Sequence, residues 1–132
     1  MKLEELMEKL NSPEWTDLEF KASAGGLPKS AYETACAFAN TKGGHIVLGV
    51  HEKNGSYEMM GVSNVDKIQN DFMSTLHAGQ KFNHDLHPLE QLFKIDDKTI
   101  LVFWIPEALR TNKPIYLNGD IRQTYIRKGG CD

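Results

Sequence analysis

The sequence predicts a single α+β domain in which a mixed or mainly antiparallel sheet is flanked by two main helices, with a short N-terminal helix ahead of them. Three observations carry this expectation. Ala35, Cys36, Phe38 and Ala39 close an apolar helical stretch, Ile46 to Val50 reads as a buried strand, and Asn40-Thr41-Lys42-Gly43-Gly44 joins the two. Paired glycines suit a helix end and let another backbone or a phosphate come close. Val65, Ile68, Phe72 and Leu76 recur at helical spacing, and the strand-like runs Leu89 to Ile95 and Thr99 to Ile105 meet at the acidic turn Asp96-Asp97-Lys98.

The elements follow in order. Leu3, Leu6, Met7 and Leu10 form the stripe of a short amphipathic helix that ends by Ser12-Pro13. In Glu14 to Lys21, Leu18 and Phe20 alternate with Glu19 and Lys21, the pattern of a half-buried strand with both charged side chains on one face. Ala22 to Leu27 is a small-residue loop, and Pro28 suits the first turn of the helix that runs to about Asn40. Asn54-Gly55 signals a hairpin after the central strand, with Tyr57 to Val62 returning. Ser63 and Asp66 have the spacing of a capping box. Gly79 to Pro88 is a polar loop, and Gln123 to Arg127 alternates as a last strand.

At 132 residues and 40% hydrophobic, the chain is long enough to bury roughly two thirds of its unfolded surface without a staple. Its two cysteines, Cys36 in the apolar helix and Cys131 near the end, suggest no disulfide framework, so a reducing cytoplasm is the expected setting. No apolar run approaches ~18 residues, and MKLEELMEKL is too charged for a signal peptide, so no membrane partner is expected. The net charge of -3 is uneven: residues 1–19 set two lysines against six acids and leave the rest slightly basic. A basic patch fits such a body, though not a strongly basic binder.

Leu18-Glu19-Phe20-Lys21, Ala37 to Gly44, Leu48-Gly49-Val50, Gly61-Val62, Lys113-Pro114 and Tyr125-Ile126-Arg127 resemble, in order and spacing, the Alba-like DNA-binding domain of the Schlafen type, formerly catalogued as a divergent AAA ATPase domain. The resemblance spans about Glu14 to Gly130, with residues 1–12 as an added helix. It makes Phe38, Ala39, Asn40, Thr41, Gly43 and Gly44 the structural signature. It implies the N-terminal part of a longer transcriptional regulator that binds nucleic acid, DNA in the first place, with no cofactor required. In animal relatives the similar domain belongs to an RNA-cleaving core with a carboxylate triad and divalent metal. Glu14 and Glu19 resemble two of those acids by their spacing of five, and Glu52 stands where a third could be, although His51 occupies a position where that family often has an acid.

Two alternatives therefore stand beside DNA binding. Glu14, Glu19 and Glu52 are candidate catalytic and metal-binding residues of an endoribonuclease, because Mg²⁺ or Mn²⁺ prefers oxygen ligands and activates water. An ATP-binding module would use the 40–44 turn, but that turn follows a helix rather than opening one, and its order is not that of a P-loop. For nucleic acid, Lys21, Lys29, Lys42, Arg122, Arg127 and Lys128 are the candidate phosphate contacts. Trp15, Trp104, Tyr116 and Tyr125 could stack on bases, with packing as their ordinary role. Exposed apolar strand edges such as Leu101 to Ile105 would suit a homodimer.

Overall fold

The computed structural model describes residues 1–10, 18–23, 26–53, 56–77 and 80–128. Along the chain these form α1 (Leu3–Leu10), β1 (Leu18–Lys21), α2 (Ser30–Asn40), β2 (Gly44–Leu48), β3 (Val50–Lys53), β4 (Ser56–Met59), α3 (Val65–His77), β5 (Leu89–Ile95), β6 (Lys98–Ile105) and a 3-10 turn at Arg110–Asn112. One sheet has the order β1-β2-β6-β5, and β3-β4 make a separate two-stranded sheet. β1 and β2 run parallel with α2 as their crossover, whereas β2–β6 and β6–β5 are antiparallel, so the sheet is mixed as expected.

Alternation along the strands divides the core in two. Ile46, Leu48, Leu101, Phe103 and Ile105 face α2 and α3 and pack with Phe38, Ile68, Phe72 and Leu76. Leu18, Val47, Ile100 and Val102 face the other way and are covered by Leu6 of α1 and by Tyr57 and Met59 of the β3–β4 hairpin. Of the α1 stripe, Leu6 is fully buried while Leu3 and Met7 remain exposed. The Met1 ammonium group donates to Gln91 Oε1 (2.7 Å) and Gln91 Nε2 donates to the Met1 carbonyl (2.8 Å), tying the helix start to β5.

Gly49 turns the chain from β2 into the hairpin. Its φ is +104°, its N–H donates to the Lys21 carbonyl (2.9 Å), and its own carbonyl accepts from Met60 and Gly61 N–H. A side chain there would meet Ile100 and the backbone of Gly61. The Ser63 hydroxyl reaches the Ser23 carbonyl (3.4 Å), and the first hydrogen bond of α3 runs from Ile68 N–H to Asn64.

Two expectations are corrected. Leu101 to Ile105 is not an edge: β6 lies between β2 and β5, with Leu101, Val102, Phe103 and Ile105 buried, and the strand edges of this sheet belong to β1 and β5. Gln123 to Arg127 is not a strand. It alternates because this segment crosses the end of α2, with Tyr125 packed on the core and Arg127 buried while Ile126 stays exposed.

A polar cluster closes the far end of α3. Asp85 receives the His87 backbone N–H (2.8 Å), and the His77 ring lies 3.0 Å from the same carboxylate. Burial pushes the Asp85 carboxyl up, but the His87 N–H and the contacts with the His77 and His87 rings outweigh it, leaving the group below its ordinary value of 3.8. A carboxyl depressed on folding contributes stability above its unfolded pKa and loses it as the pH falls through the folded one. The stability advantage of the native chain over Asp85→Asn, measured by urea midpoint, is therefore expected to shrink as the pH falls below about 4.

Candidate nucleic-acid interface

The signature residues meet at the C-terminal end of α2. Asn40, the last residue of the helix, donates through Nδ2 to the carbonyls of Ile115 (2.8 Å) and Tyr125 (2.9 Å), while its Oδ1 accepts from Ile115 N–H (2.7 Å). One amide thus satisfies three backbone groups on two segments distant in sequence. The Thr41 hydroxyl donates back to the Ala37 carbonyl (2.7 Å) and accepts from Arg127 N–H (2.9 Å). Ala108 N–H donates to the Ala39 carbonyl (2.8 Å), and the buried Cys36 thiol to Ile115 (3.1 Å). Asn83 grips the same strap at residues 114–116, with Nδ2 to the Pro114 carbonyl (3.0 Å) and Oδ1 from Tyr116 N–H (2.9 Å).

The glycines in this stretch serve packing. Gly43 has φ +77°, and a Cβ there would stand 2.8 Å from the Ile105 carbonyl oxygen. A Cβ on Gly44 would fall 2.4 Å from the Phe38 ring. The turn's N–H groups are spent on its own helix, since Thr41 and Gly43 both donate to the Phe38 carbonyl (3.1 and 2.8 Å). Those two donors therefore close the helix rather than cradle a phosphate, and the negative end of the helix dipole adds to the case against ATP at the turn.

Of the three acids, Glu14 lies outside the described residues, as does Trp15. Glu19 sits across from Ile46 on the helix side of β1, held by Arg127 Nη2 (2.9 Å) and by Lys21 (3.6 Å). Glu52 is exposed on β3, across from Tyr57, whose ring packs on Phe20 from the other side of β1 (centroids 4.5 Å apart). Among the described residues no three His, Cys, Asp or Glu side chains are grouped so as to hold a metal ion.

The six candidate cations separate in the same way. Arg127 is buried, with its side chain only 4% exposed; besides Glu19 it donates to the Leu18 carbonyl (3.2 Å) and lies over the Phe38 ring (4.9 Å). Its guanidinium is committed inside the fold, which removes it from the phosphate-contacting set. Lys21 is half-buried beside Glu19. Arg122 is exposed but forked onto Asp120 (3.0 and 3.1 Å), and that guanidinium holds the Asp120 carboxyl below its usual range. Lys29, Lys42 and Lys128 are exposed. Lys29 and Lys42 flank the two ends of α2, roughly 20 Å apart by helix rise. Lys42 and Lys128 instead leave one point of the fold, because each directly follows a partner of the Thr41–Arg127 bond. Lys113, in the strap that Asn40 holds, adds a third ammonium group, paired with Glu107 (2.7 Å). Of the aromatic candidates, Trp104 packs on the His45 ring and Tyr125 packs against the core.

Sequence reasoning missed Asn83, Ile115 and Glu107, which complete this end of the molecule. Their role depends on contacts across 31 to 79 residues or on an ion pair within a loop, for which no periodic pattern exists.

Residues 14–132 match the family described as Schlafen, AlbA_2. Among solved structures the chain is similar to the N-terminal domain of a protein from Nitrosomonas europaea named for its relation to the ATP-dependent DNA helicase RecG. That likeness has 34% identity and a TM-score of 0.75, and covers 97% of this chain and 89% of the other. The fold alone is shared with the DIP2311 protein of Corynebacterium diphtheriae, at 18% identity and a TM-score of 0.56, over 89% of this chain and 24% of that one. No curated protein matches the chain.

Proposed function

This chain belongs to the Schlafen, AlbA_2 family, and from that premise we propose that it binds nucleic acid, DNA in the first place, as the DNA-holding part of a transcriptional regulator. The observation that carries the reading is the Thr41–Arg127 junction, from which the chain continues on both sides into an exposed lysine, Lys42 and Lys128, while Thr41 and Gly43 N–H are spent on closing the helix. Such a surface offers exposed ammonium groups on long side chains. Its contacts are to phosphate, sequence-tolerant and dependent on counterion release. The name of the Nitrosomonas relative, with its tie to a DNA helicase, supports the same class of ligand.

Fluorescence anisotropy with a labelled DNA duplex tests this reading. Binding is expected at low salt, with affinity falling steeply and log-linearly as salt rises. A flat salt dependence, or no binding at low salt, would overturn it.

A further inference from the structure

The outer edge of β5 is built to pair with itself, and we infer that two copies of this chain associate there, joining their sheets antiparallel about a twofold axis at Leu92. β5 is a seven-residue terminal strand with no proline, and among the described residues no strand pairs with its outer side. Leu89 and Leu92 are 65% and 44% exposed. An edge of this length with two bare leucines is an association surface unless something guards it.

Register follows from the hairpin. Ile95 pairs with Lys98 across Asp96-Asp97, both of which have positive φ (49° and 66°), the geometry of a two-residue type I′ turn. In such a hairpin the flanking pair exchanges both hydrogen bonds, and the pattern alternates from there. Ile95, Phe93, Gln91 and Leu89 therefore bond inward to β6, and Lys94, Leu92 and Glu90 turn their N–H and C=O groups outward. The side chains of those three share the helix-side face with Leu101 and Phe103, and all three are exposed.

A second β5 laid antiparallel with Leu92 opposite Leu92 satisfies every outward group of the three residues. It also sets Glu90 opposite Lys94 twice. Charges on an edge strand ordinarily deter pairing; here their spacing makes them complementary about Leu92. Shifting the centre to residue 91 or 93 leaves one outward residue of each strand unpaired and sets the two charges against Leu92. A second copy of this chain is thus the occupant that the charge pattern selects.

Sedimentation across a wide concentration range, on the native chain and on Glu90→Lys, Lys94→Glu and the double exchange, tests the inference. The native chain is expected to dimerise. Each single variant turns two opposite-charge contacts into two like-charge ones and is expected to weaken the dimer about tenfold or more, with the double exchange restoring it. Circular dichroism melting shows that each variant is folded, and the return of the dimer in the double exchange separates pairing from any loss of fold. A native chain that stays monomeric at every concentration, or a dimer indifferent to the single changes, overturns the inference. Lys42 and Lys128 take no part in this pairing, so its failure leaves the nucleic-acid reading standing.

Discussion

Replacing Asn40 with alanine is expected to lower the unfolding free energy by about 3–5 kcal/mol, an unusually large effect for one half-buried polar side chain. The reason is the number of backbone groups that depend on one amide. Ile115 N–H and the carbonyls of Ile115 and Tyr125 all bond to it, and the Ile115 carbonyl is shared with the weak Cys36 thiol donor. Leaving a buried group unsatisfied costs about 1–3 kcal/mol each, so two or three losses reach the stated range. Asn40→Asp is no remedy, because a carboxylate still accepts from Ile115 N–H but meets two carbonyl oxygens where an NH₂ group stood. Guanidinium unfolding of the native, Asn40→Ala and Asn40→Asp chains checks the expectation. A loss below about 1 kcal/mol for alanine would show that the strap is held by other contacts.

Arg127→Met is the second large effect, expected at about 3 kcal/mol. Methionine keeps much of the apolar stem but deletes the guanidinium that pairs with Glu19, donates to Leu18 and lies over the Phe38 ring. Breaking a buried ion pair is costly because the remaining charge is left poorly solvated; here Glu19 retains Lys21 and some exposure, which places the figure at the low end. Glu19→Gln in the Arg127→Met background is expected to recover part of the loss, and the four chains form a thermodynamic cycle that isolates the pair. The same variants sort structure from recognition. Because the guanidinium is buried, Arg127→Met is expected to leave DNA affinity per folded molecule unchanged, whereas a phosphate-contacting arginine would lower it.

Local patterns were legible where the controlling contacts are close in sequence. The period of Val65, Ile68, Phe72 and Leu76 gave α3, and the alternation of Leu18 and Phe20 with Glu19 and Lys21 gave β1 with its charged pair on one face. The glycine pair was readable as packing, and the Phe38 ring against Gly44 is its physical cause. What stayed hidden depends on topology. That β6 is central and β5 terminal follows from strand order, which the Leu101 to Ile105 run does not encode. Arg127 looked like surface charge because the acid that neutralises it, Glu19, is on the first strand. The meeting of the two backbone segments that carry Lys42 and Lys128 likewise rests on one hydrogen bond between residues 86 apart.

We propose a division of labour in which the 38–44 signature holds the fold while the lysines at its rim hold nucleic acid. Its most direct measurement is the salt dependence of duplex DNA affinity for the native chain and Lys42→Gln/Lys128→Gln, with melting temperatures recorded alongside. Each phosphate contact contributes about 0.9 to the slope of log affinity against log salt. The double variant is expected to lose roughly two units of slope and much of its low-salt affinity at an unchanged melting temperature. An unchanged slope in the folded variant would contradict the account, because DNA would then be held by some other face of the domain.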